Sequence, residues 1–110
     1  MVATVKTELV ENNAIAITWE ELGGAETGPQ ASVARWVNRS VQVKGTFGGA
    51  TVVLHGSNDG VTFAALNDLE GNPISLTAAG ILSIMENTRF VRPVSSGGTG
   101  SDIDVILYGV

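Results

Sequence analysis

The stretch from Arg39 to Asn67, RSVQVKGTFGGATVVLHGSNDGVTFAALN, constrains the fold more than any other part of the chain. Apolar and polar residues alternate in three short runs, and glycine-centred turn residues fill the gaps, so the segment reads as three strands. Val41, Val43 and Phe47 share one face of the first run, with Gln42, Lys44 and Thr46 on the other. Gly45 interrupts the apolar row, the mark of a bulge or of a close approach by another backbone. Gly48-Gly49 supplies the positive φ angles of a tight hairpin, which predicts that Ala50 to Gly56 returns beside the first run. In Ser57-Asn58-Asp59-Gly60 the Asn and Asp side chains can bond their own following backbone. That turn predicts that Val61 to Leu66 folds back on Ala50 to Gly56, with Val61, Phe63 and Ala65 in a row facing Val52 and Leu54.

The same alternation recurs elsewhere. Ile15, Ile17 and Trp19 form one row of a strand from Ala14, and Ile103, Val105 and Leu107 form the inward row of a last strand, with Asp102 and Asp104 outward at an expected sheet edge. Pro73 to Leu76 reads as a short edge strand, and Arg89 to Val94 as a strand stopped by Pro93 and the Gly-rich loop after it. Thr77 to Met85 fits a short helix or a strand, since Ile81, Leu82, Ile84 and Met85 have helical spacing while Gly80 opposes it. Residues 1–13 alternate weakly and read as an N-terminal arm, either pairing with a neighbouring subunit or mobile. Residues 20–38 read as a long loop with a short extended piece near Val33 to Val37. The expectation is therefore one all-β domain over residues 14–110, an antiparallel β-sandwich or small β-barrel with short connecting turns and little or no helix.

With 110 residues the chain is long enough for one core, burying roughly 65% of the surface its unfolded form exposes. Charged residues are 15% of the chain and apolar residues 44%, against a usual charged share of about 25%. A surface this poor in charge fits a protein that hides part of itself in an assembly, and equally a neutral, Gly/Ser/Thr/Asn-rich exterior on a monomer. The net charge of −5, with no cluster of Lys or Arg, argues against nucleic-acid binding. The chain has no cysteine, which removes disulfides, thiolate catalysis and Cys-type zinc sites. No apolar run approaches the length of a membrane span, and the N-terminus lacks the apolar stretch of a signal peptide, so neither membrane insertion nor export is expected.

Catalytic apparatus is hard to find. Asp102 and Asp104 sit two apart on one face, a spacing that permits a shared cation or acid–base work but more often serves solubility. Asn58-Asp59-Gly60 lacks further oxygen ligands at calcium-loop spacing, so turn geometry explains it better. His55, the single histidine, has no partner for a metal or a triad in its neighbourhood and reads as a sheet-surface residue. Arg89 and Arg92 fall on opposite faces of an extended strand, which sends one of them toward the core or an interface. Trp19 continues a core row. Trp36, beside Arg35 in the long loop, is either an exposed interface anchor or a lid folded over one end of the sandwich. No catalytic residue, metal ligand or cofactor is predicted.

The sequence from Ile17-Thr18-Trp19, through Glu26-Thr27-Gly28, Asn38 to Val43 and Gly45 to Ala50, to Gly56-Ser57-Asn58-Asp59-Gly60, resembles small proteins of tailed bacteriophages and prophages, the capsid decoration or cement proteins. The likeness continues more loosely through Arg89 to Pro93 and covers most of residues 15–110. It implies a non-enzymatic virion protein, made in the bacterial host cytoplasm, that binds the outer capsid surface, bridges subunits of the major capsid protein and associates with itself as a homotrimer. On that reading the contact residues are Val5, Leu9 and Val10 of the arm and Arg35 and Trp36 of the loop. Another phage structural part, such as a head fibre base or tail protein, is an alternative. The GSNDG turn with Phe63 is also similar to a hairpin of discoidin-type sandwiches, which keeps open a glycan-binding module presenting Trp36 and Tyr108. That likeness covers one hairpin of a longer, typically cysteine-containing domain.

Overall fold

A computed structural model describes the backbone of residues 4–11 and 13–110, with side chains from Asn13 onward. In chain order the strands are β1 Thr4–Glu11, β2 Ala14–Leu22, β3 Ala31–Ser32, β4 Arg39–Thr46, β5 Thr51–Ser57, β6 Ala64–Ala65, β7 Ser75–Leu76, β8 Gly80–Ser83, β9 Phe90–Ser96 and β10 Asp102–Gly109. They form two antiparallel sheets, one ordered β1-β2-β10-β4-β8 and the other β3-β9-β5-β6, with β7 also on β5. No helix occurs among the described residues. The fold is an all-β sandwich.

The core is built from the alternating rows that the sequence displays. Ile15, Ile17 and Trp19 of β2, Val41 and Val43 of β4, and Ile103, Val105 and Leu107 of β10 meet Val52 and Leu54 of β5 and Val91 of β9. Trp19 is fully buried, and its indole N–H donates to the Pro29 carbonyl at 2.7 Å, so its one polar atom is satisfied. Trp19 and Leu22 are both buried although they are three apart, because β2 bulges between them. Glu21 takes φ 61° there, and its N–H donates to Asp104 Oδ1 at 3.3 Å. Gly45 lies opposite Ile103 without a register break; a Cβ on it would sit 2.4 Å from the Asp102 carbonyl oxygen, so close backbone approach is what the position requires.

Several expectations change. Gly48-Gly49 does not close a hairpin: β4 pairs with β10 and β8 while β5 lies in the other sheet, so this turn carries the chain across the sandwich. β6 does return on β5, but Ala65 faces His55 and the buried residue is Leu66, one position out of the expected row. Val61 lies outside the ladder, in the turn before β6, and is 82% exposed. The ambiguous segment is a strand, β8, with Ile81 on its exposed face. Pro93 does not stop β9; its carbonyl accepts from Gly28 N–H, so its nitrogen points away from β5 and the β5–β9 ladder loses no bond.

β10 is central, between β2 and β4, rather than an edge, and Asp104 lies opposite Lys44. The long loop is shorter than expected, since β2 runs to Leu22 and the extended piece is Ala31–Ser32. Residues 4–11 form a strand against β2 of the same chain, from Thr4 opposite Glu20 to Glu11 opposite Ala14.

Candidate functional site

One end of the sandwich is closed by the segment between β3 and β4. Val33 is buried and its N–H donates to the Arg89 carbonyl at 2.9 Å; Trp36 N–H donates back to Val33 O at 3.1 Å. The Trp36 ring is half-buried against the core, and its indole N–H donates to the Asn13 carbonyl at 2.6 Å. Arg35 stays exposed, its guanidinium 5.8 Å from the Trp36 ring centroid. Arg39, the first residue of β4, turns inward beneath this segment. Its Nε donates to Trp36 O at 2.5 Å and one terminal nitrogen donates to Val33 O at 2.6 Å, while the other terminal nitrogen is buried without a hydrogen-bond partner. Burial pushes the Arg39 pKa down, yet a guanidinium stays charged. Two carbonyls thus pin a buried cation, and the cation pins the loop.

Beside that end lies an open groove of about 450 Å³. Val37, Leu69, Met85, Tyr108 and Val110 line it, and each is more than a third exposed. A second concavity of about 210 Å³ adjoins it through Leu69 and Ser83 and adds Ile81. These six account for all the large apolar side chains exposed among the described residues except Val61. Four separate segments bring them together: the start of β4, the turn after Asn67, β8 with the residues after it, and the end of β10. The rest of the larger groove is neutral, including Asn38, Ser40, Ser83 and Asn87, apart from Arg39 and the ionisable Tyr108, while Asp68 and Glu70 border the smaller concavity. Apolar surface of this kind, with Met and Tyr and little charge, has the composition of a protein contact.

The outer face of the other sheet carries a different cluster. The Arg92 guanidinium lies over Phe63, 3.7 Å from the ring centroid, and Arg89 lies 4.9 Å from the Phe90 centroid. Neither arginine enters the core, because β9 begins at Phe90 and leaves Arg89 in the preceding bend. His55, opposite Arg92, is held below its ordinary pKa by burial first and by the Arg92 charge second. Asp59 Oδ1 accepts from Ser57 Oγ and from the N–H groups of Val61 and Thr62, all at 2.8 Å, which holds its pKa at about 2. Those bonds build the turn. Among the described residues no group of three or more His, Cys, Asp or Glu is placed to hold a metal.

Of the five residues the sequence singles out, Arg35 and Trp36 sit together at the capped end. Val5 lies opposite Trp19 and Leu9 opposite Ile15 in the ladder, and Val10 falls at the register shift; their side chains lie outside the described residues. The sequence marks no groove, and of its lining residues only Tyr108 is singled out there as a surface side chain. No protein-family model and no curated protein matches this chain.

Proposed function

We propose that this chain is a non-enzymatic structural protein of a phage virion that binds the outer capsid surface and bridges major capsid protein subunits through the Tyr108 groove. The supporting observation is the gathering of Val37, Leu69, Ile81, Met85, Tyr108 and Val110 around two adjoining concavities, the larger of which has Arg39 as its one charged lining residue. Neutral, partly aromatic surface is what the desolvated centre of a protein contact uses. A groove already formed by the folded sandwich spares the contact a backbone-ordering cost. Repeated weak contacts across a shell then add through effective concentration. The glycan reading needs Trp36 and Tyr108 as one platform, but Trp36 is half-buried with its N–H committed to Asn13 and does not line the groove.

Cosedimentation with undecorated phage capsids tests the proposal. Wild-type protein should pellet with capsids, and Leu69→Asp or Val37→Asp should lose about tenfold or more in affinity with an unchanged urea midpoint, because both residues are well exposed and lie outside the strands. Binding by the variants equal to wild type, or no pelleting of wild type, overturns it.

A further inference from the structure

We propose that two copies of this chain pair edge to edge through β1, antiparallel about a two-fold axis at Thr7. β1 ends its sheet and pairs with β2 alone among the described residues. At eight residues it is the longest edge of either sheet; β8 has four, and β3, β6 and β7 have two each. A long edge with no proline is a template for another strand.

The sequence TVKTELVE selects the partner and the register. A two-fold axis perpendicular to an antiparallel ladder passes through a pair of identical residues, so only a few symmetric registers exist. Centred on Thr7, the pairs are Thr7 with Thr7, Lys6 with Glu8 twice and Val5 with Leu9 twice. Lys6 and Glu8 then meet opposite charges, and Val5 and Leu9 meet apolar residues. Centred on Glu8, two glutamates face each other; centred on Lys6, two lysines do. The Thr7 register also uses only the regular part of the strand, since the ladder to β2 shifts between Leu9 and Glu11. Within the chain, Lys6 lies opposite Thr18 and Glu8 opposite Ala16 in the ladder to β2. A lone lysine protects an edge from pairing; followed two residues later by Glu8, it specifies one partner, a second copy.

The pairing does not depend on capsid binding, and it yields a dimer where the phage resemblance implies a trimer. The test is sedimentation equilibrium of the full chain together with oxidative cross-linking. The native sequence has no cysteine, so Thr7→Cys places a single thiol at the axis. Facing residues have Cα atoms about 4.5–5.5 Å apart, within disulfide reach. Expected are a species of twice the 11.4 kDa chain mass, a Thr7→Cys disulfide dimer under mild oxidation, and no such dimer from Lys6→Cys. Lys6→Glu and Glu8→Lys should each weaken dimerisation about tenfold, and the double exchange should restore it. A monomer, a trimer without the Thr7→Cys link, or a double variant no better than the singles overturns the proposal.

Discussion

Replacing Trp36 separates a side chain that holds the fold from one that waits for a partner. The ring is half-buried against the core, so truncation to alanine removes about half of the 3–5 kcal/mol typical for a fully buried aromatic. The indole N–H to Asn13 bond adds up to about 1 kcal/mol, reduced because Asn13 is exposed and water can replace the donor. Trp36→Ala should therefore cost about 2–3 kcal/mol and Trp36→Phe about 0.5–1 kcal/mol. At a urea m-value of about 1.5 kcal/mol/M, the midpoints fall by about 1.5–2 M and about 0.5 M with m unchanged. A Trp36→Ala midpoint within about 0.3 M of wild type, the range of an ordinary surface change, would refute the reasoning that this ring clamps the end of the sandwich.

Two further outcomes follow from local geometry. Gly109→Ala places a Cβ 2.7 Å from Trp36 Cβ and 3.2 Å from its Cγ, and should cost about 1–3 kcal/mol in urea unfolding by pushing the same ring outward. Asp59 has a folded pKa of about 2 against an ordinary 3.8, so its contribution to stability is present above the ordinary value and is lost as pH falls through about 2. Asp59→Asn should flatten the acid dependence of the urea midpoint between those two values, and an unchanged profile would remove Asp59 as its source.

Local patterning made half of the molecule legible. The rows Ile15-Ile17-Trp19 and Ile103-Val105-Leu107 are read correctly because each strand has one face in the core, and a period of two is then enforced along its length. Turn chemistry is less informative. Gly48-Gly49 permits a chain reversal but does not say whether the next strand joins the same sheet, and here it joins the other. Pro93 misleads for a related reason, since what matters is which side of the strand its missing donor faces. Leu66 was misphased because the Ser57 to Phe63 segment is a wide turn held by Asp59 rather than a tight hairpin. The groove was invisible because its lining comes from four distant segments, none with a motif.

The central position of β10 carries a consequence for biosynthesis. β2 and β4 are neighbours only through β10, whose Leu107 lies opposite both Ile17 and Val41. Until those late residues have left the ribosome, the β1–β2 pair and the β4–β8 pair have no strand to join them. Pairings so distant in sequence close slowly, on the millisecond-to-second scale of non-local β folds. Apolar faces left uncovered in that interval are the kind that aggregate, so co-expressed holdases or a lowered expression temperature should raise the soluble yield more than any change to the finished surface.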